Sequence, residues 1–235
     1  MQHWKLILPG AVAALAILAA PFASAQSSGN FTSQITTTQC TINTVGGLPN
    51  SGSLNGGSPH NILDTYIKTS NGSGTTLLIT PSLVTGLFTN TEVTQGMESS
   101  AVSAAVKVAV TLDGAPVAPA TTATPSIIYD QRFQQLSTNV FDRIVTCSVT
   151  NDCSIDLVES TLAAHSFNFV APNVPVGNHH VQVTWSFECS DNTGAMVPCT
   201  EFYTANTAGA CAGPGSVTVT QTKAFSQSGG VTVGP

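Results

Sequence analysis

Along residues 102–112 apolar side chains fall on every second position: Val102, Ala104, Val106, Val108, Val110 and Leu112 alternate with smaller or polar residues, Lys107 among them. A period of two lines one face of a β-strand, and this strand ends at the turn dipeptide Asp113-Gly114. The same period returns in Val181, Val183, Trp185 and Phe187, with Gln182, Thr184, Ser186 and Glu188 on the opposite face, which turns Trp185 inward. Residues 162–170, carrying Phe167 and Phe169, lie just upstream. The connection 171–177 holds Pro172, Pro175 and Gly177 and predicts a hairpin between these two strands. The prolines of residues 115–125 suit an edge strand or an extended connection.

Shorter strands are predicted over residues 36–45, 63–68, 75–80, 87–93, 127–133, 140–149 and 216–224, each bounded by Gly, Pro, Asn or Asp. About nine strands and no long segment of period 3.6 predict an all-β fold. Two antiparallel sheets packed face to face, an immunoglobulin-like or jelly-roll sandwich, would bury the alternating Val, Ile and Phe positions. The low-complexity stretch 46–59 (GGLPNSGSLNGGSP) reads as a flexible loop.

Residues 1–25 have the form of a cleaved secretory signal peptide, with Lys5 near the start, an apolar run over 6–20 and Ala23-Ser24-Ala25 as the cleavage site. The apolar run is shorter than the roughly 20 residues of a spanning helix, so the mature chain is expected to have no membrane span. A single sandwich domain over 26–235 is then expected in a secreted, extracellular or periplasmic setting. In such a compartment Cys40, Cys147, Cys153, Cys189, Cys199 and Cys211 read as disulfides. Spacing alone selects no connectivity. Proximity favours Cys147 with Cys153 and Cys189 with Cys199, each across a tight turn, which leaves Cys40 for Cys211. No C-x-x-C occurs, and the spacings match no common zinc site.

Charged residues make up only 8% of the chain, and with Lys5 removed five basic residues face twelve acidic ones. That balance argues against binding a phosphate backbone, so no nucleic-acid partner is expected. Polarity comes instead from Ser, Thr, Asn and Gly, which suits neutral partners.

No cofactor motif is present, and no G-x-S-x-G nucleophile turn. His165 alternates with Phe167 and Phe169, which predicts a core histidine bonded to backbone. His179 and His180 are adjacent on a strand, so their side chains point to opposite faces and cannot share a metal. Glu188, on the polar face of the Trp185 strand, reads as a solvated carboxylate. Asp142 and Arg143, like Asp130 and Arg132, are neighbours of the kind that form surface ion pairs. Asn151, Asp152 and Asp156 offer oxygen ligands near a cysteine-bounded turn, without the order of an EF-hand loop.

The leading expectation is a secreted, non-enzymatic domain, structural or adhesive, that binds protein or neutral glycan partners or self-assembles through sheet faces and edges, the Thr-rich strand 33–45 being one such edge. Two alternatives stand beside it. One is a secreted, glycosidase-like hydrolase with a loop-borne site drawn from His165, His180, Asp142, Asp156 and Glu188. The other is a calcium-stabilised adhesion module.

Overall fold

Alternation carries into strands that are longer than the sequence pattern marks. The computed structural model describes residues 30–45, 48–51, 58–70, 75–95, 100–137, 139, 141, 153–190, 196–197 and 207–223. Its elements are β1 (Phe31–Thr36), β2 (Gln39–Cys40), β3 (Ile42–Val45), β4 (Leu48–Ser51), β5 (His60–Thr69), β6 (Thr75–Thr94), β7 (Ser100–Leu112), β8 (Ala115–Pro116), β9 (Ile127–Leu136), β10 (Ser154–Ser166), β11 (Phe169–Ala171), β12 (Gly177–Ser190), β13 (Met196–Val197) and β14 (Thr207–Lys223). Among the described residues no helix is long and apolar enough to cross a membrane.

Two six-stranded antiparallel sheets pack against each other. In the first the order is β1-β14-β6-β10, with β2 beside β14 and β11 beside β6. In the second, β12 and β7 are central; β5 and β13 flank β12, while β8 and β9 flank β7. A separate ribbon pairs β3 with β4. The core lies between the four central strands. Leu77, Ile79, Leu83 and Leu87 of β6 and Val217 and Val219 of β14 meet Val106, Val108 and Val110 of β7 and Val183, Trp185 and Phe187 of β12. Trp185 is 1% exposed, and its indole N–H donates to Gln39 Oε1 at 2.9 Å, so the largest core side chain leaves no unpaired donor.

The expected hairpin between residues 162–170 and the Trp185 strand does not form. β10 and β11 both pair with β6 in the first sheet, whereas β12 pairs with β5 and β7 in the second. Pro172 and Pro175 carry the chain across the sandwich instead of turning it back within one sheet.

The strands expected over 75–80 and 87–93 are one strand, β6. Odd positions Leu77, Ile79, Leu83, Leu87 and Val93 stay buried through both Pro81 and Gly86. Pro81 falls where β10 gives way to β11, so the missing N–H coincides with a gap in the ladder. Gly86 leaves room on the outer face, where a Cβ would meet Leu162 Cδ2 at 3.1 Å and Cys211 Cβ at 3.5 Å. The strand expected over 36–45 is divided among β1, β2 and β3, and part of the loop expected over 46–59 is the strand β4. The strand expected over 140–149 lies, except for Phe141, outside the described residues.

Cys40 and Cys211 are directly opposed across β2 and β14, with Cα atoms 4.1 Å apart, and form a disulfide. Cys153 and Cys189 are also disulfide-bonded; their expected partners, Cys147 and Cys199, lie outside the described residues. The Cys40–Cys211 bond spans 171 residues, and in the chain-entropy model a loop of that size stabilises by about 5 kcal/mol. The double variant Cys40→Ala/Cys211→Ala is expected to lose roughly 3–5 kcal/mol in urea unfolding, and a loss below about 1 kcal/mol would contradict that account.

Candidate functional site

The margins of the sandwich, where an edge strand of one sheet faces an edge strand of the other, gather most of the polar chemistry. β1 is inverted relative to an ordinary edge strand, with apolar residues pointing out and polar residues pointing in, and the middle of β10 shares the feature, with Val158 and Leu162 exposed and Glu159 and Thr161 turned toward Arg132, whereas Ile155 and Leu157 keep the ordinary inward sense. On β1, Phe31 is 64% and Ile35 83% exposed, while Thr32 and Gln34 face inward toward β5. Thr32 Oγ1 lies 3.1 Å from Thr65 Oγ1, and Gln34 Oε1 accepts the backbone N–H of Asp64. Gln39 Nε2 donates to the Asn61 carbonyl at 3.0 Å. Side chains thus satisfy backbone groups that β5, as an edge strand, has no neighbour to pair.

The opposite margin joins β10, β6 and β9. Arg132 of β9, with a side chain 12% exposed, donates from its two terminal nitrogens to Thr89 Oγ1 at 3.2 Å and Thr161 Oγ1 at 2.6 Å. Its Nε lies 3.7 Å from Glu159 Oε2. Two residues earlier on β9, Asp130 accepts from Thr85 Oγ1 at 3.0 Å and stands 3.7 Å from His165 Nε2. Gln134 Nε2 donates to the Leu157 carbonyl at 3.3 Å. Tyr129 is buried here and donates to the Pro81 carbonyl at 3.1 Å; burial pushes its phenol well above the usual tyrosine range.

His165 is therefore not the core histidine expected from its spacing. Its side chain is one-third exposed, with its ring edge-on to Tyr129 at 6.3 Å, and its Nε2 has no hydrogen-bond partner. His165 still lies in the β10–β6 ladder, on an edge strand, so its ring meets Asp130 and Tyr129 at the margin, while beyond the end of β10 Phe167 is 44% exposed and Phe169 lies in the core.

A second cluster lies on β12. His179 is buried and His180 faces out, as adjacent strand positions require. Asp113, at φ 52° in the turn after β7, ties them together. Its Oδ2 lies 2.7 Å from His179 Nδ1, and its Oδ1 accepts the His180 backbone N–H at 2.8 Å. His179 Nε2 donates to the Pro175 carbonyl at 2.9 Å. The hydrogen bond from His179 and then that from the His180 backbone hold the Asp113 carboxyl below its ordinary value. On the outer face, His180 Nε2 lies 2.6 Å from Asp64 Oδ1, and the ring stacks on Tyr66 at 4.7 Å.

The candidates drawn from the sequence are thus divided. His165 and Arg132 share the β9–β10 margin. His180 is on the outer face of the second sheet, and on that same face Glu188 pairs with Lys107. Asp156 points outward on β10, opposite Glu92. Asp142, Arg143, Asn151 and Asp152 lie outside the described residues. Among the described residues no group of three or more His, Cys, Asp or Glu side chains is placed to hold a metal ion.

Sequence reading missed Asp64, Tyr66 and Asp113 as partners of the histidines, and Thr85 and Thr89 as partners of Asp130 and Arg132. The threonines could have been found by following the odd-numbered parity of β6 through Gly86. The partnership of Asp64 with His180 depends on the pairing of β5 with β12 and has no local signal. No protein-family model matches the chain, and no curated protein matches it in sequence.

Two expectations follow. Because the Asp113 pKa is lowered from 3.8, its stabilisation is complete above that value and fades as pH falls further. With its side chain half exposed, Asp113→Asn should cost about 1 kcal/mol or less at neutral pH, with a gap to wild type that closes below pH ~4 in urea titrations. At the other margin, Arg132→Ala should destabilise by roughly 1–2 kcal/mol, leaving the buried Thr89 hydroxyl without this donor and removing the ion pair with the half-exposed Glu159. Arg132→Lys should recover less than about half of that, since an ammonium cannot reproduce the guanidinium fork.

Proposed function

We propose that this protein is a non-enzymatic extracellular β-sandwich, structural or adhesive in role, that engages protein or neutral glycan partners through the outer face and margins of its first sheet. The observation that carries this reading is the outward projection of apolar side chains from β1 and from the middle of β10. Phe31, Ile35, Val158 and Leu162, exposed by 64, 83, 57 and 79%, all project from the same sheet on its outer side. Apolar side chains exposed in pairs along a sheet face suit an interaction site, and Tyr66, Ile128 and Phe133 are exposed as well, on strands of the second sheet. Serine and threonine hydroxyls lie between them, Ser33 beside Thr218 and Thr80, and Ser216 beside Ser82 and Ser166. Apolar patches flanking rows of neutral hydroxyls suit an uncharged partner. The signal-like N-terminus and the disulfides support an extracellular setting.

The reading is tested by co-sedimentation of the oxidised protein with insoluble neutral β-glucans, alongside ester and glycoside hydrolysis assays. Retention that survives 1 M salt and falls with Phe31→Ser/Ile35→Ser is expected. Turnover that disappears in His180→Ala or His165→Ala would establish the hydrolase instead, and a melting temperature lowered by a chelator would establish the calcium module.

A further inference from the structure

We infer that β10 is the docking edge for a second copy of this chain, giving a two-fold dimer in which the first sheets of two molecules become continuous. The inference rests on the interaction reading above and names its partner.

The backbone decides which groups are available. Gln95 N–H donates to the Cys153 carbonyl, and Phe167 N–H to the Pro81 carbonyl. Between these points β10 pairs with β6 without a register shift. In an antiparallel ladder, residues that exchange bonds with one neighbour alternate with residues that face the other side. Odd residues of β10 therefore bond to β6. The N–H and C=O groups of Ser154, Asp156, Val158, Ser160, Leu162, Ala164 and Ser166 point away from it and have no partner among the described residues.

The other margin strands are blunted. β5 has its backbone covered by Gln34, Gln39 and Asn30 and is bulged near Val183/Thr184. The β7–β9 pairing is bulged at Val106/Lys107, and β1 has six residues. β10 has 13 residues and contains no proline, lysine or bulge, its charged side chains being the two carboxylates Asp156 and Glu159.

The sequence of β10 is self-complementary in one register. An antiparallel pair centred on Ser160 overlaps the whole strand. It sets Val158 against Leu162 of the second copy at two symmetry-related places, and Asp156 against Ala164. Moving the axis to Glu159 would bring two carboxylates face to face. Moving it to Thr161 would leave Leu162 opposite a serine. In the Ser160 register Glu159 instead faces Thr161 of the second copy, and Thr161 is the residue whose hydroxyl holds Arg132. Each Glu159, already 3.7 Å from its own Arg132, then approaches a second guanidinium, so two arginines and two glutamates close the axis with their charges balanced.

The test is light scattering on the oxidised protein across a concentration series, with wild type, Val158→Lys/Leu162→Lys and Ser160→Cys. Both lysines replace exposed side chains, and cooperative unfolding checks that the variant folds. Wild type is expected to be dimeric, with dissociation at least about tenfold easier in the lysine variant. Ser160→Cys is expected to give a covalent dimer on mild oxidation, since a residue on the axis meets its own copy at disulfide distance, whereas Ser154→Cys, which faces position 166, should not. A wild type that stays monomeric, a dimer indifferent to the two lysines, or equal cross-linking at 154 and 160 would overturn the inference. A monomer that is still retained on β-glucan would remove only the dimer. A monomer with no retention would remove the interaction reading as well.

Discussion

Everything in this protein depends on four long strands that each bury one side. β6 and β14 in one sheet, and β7 and β12 in the other, place Leu, Ile, Val, Phe and Trp side chains at alternate positions between the layers. Because the side-chain period of a strand is two, a slip of one residue would turn each of these sets to the surface, so burial fixes register as well as packing. The bulge in β14 between Ala212 and Gly215 shows how tightly that register is held. Gly213 there has φ 90°, and a Cβ would sit 2.5 Å from the Thr37 carbonyl, so the bend needs glycine.

Once the centre is set, the margins have a different problem. Edge strands leave backbone donors and acceptors without neighbours, and the core has no polar groups to offer them. Here inward positions of β1 and β9, and Glu159 and Thr161 in the middle of β10, carry Thr, Gln, Arg, Asp and Glu, which bond across the gap between the sheets. Turning polar residues inward forces apolar ones outward. The exposed Phe31, Ile35, Val158 and Leu162 are thus the other side of the arrangement that closes the sandwich, while the outer face of the second sheet carries Asp64, His180, Lys107 and Glu188 beside the exposed Tyr66, Ile128 and Phe133.

The chemically capable side chains follow the same logic. Arg132 and Asp130 satisfy hydroxyls at one margin, and Asp113 locks the turn after β7 to β12 through both the His179 ring and the His180 backbone. These are positioning contacts, fixed by neighbours on several strands. The Asp64–His180 pair with Tyr66 is the most accessible of them, on the outer face of the second sheet.

Much of the fold was legible in the sequence. The all-β class, the strand at 102–112, the inward Trp185, the opposite facing of His179 and His180, and the Cys40–Cys211 bridge all follow from local period, chain geometry or elimination among few cysteines. Local period depends only on the covalent geometry of an extended chain, so it shows in any single sequence. What the tertiary structure decided was which sheet each strand joins: β10 and β12, close in sequence and expected to be paired, lie in opposite layers. It decided the inward face of β1 as well, against its apolar pattern, and brought Asp64 to His180 and Arg132 to Thr89 and Thr161. Each of these depends on a partner from a distant part of the chain, and a strand's own alternation says which residues share a face without saying what that face will meet.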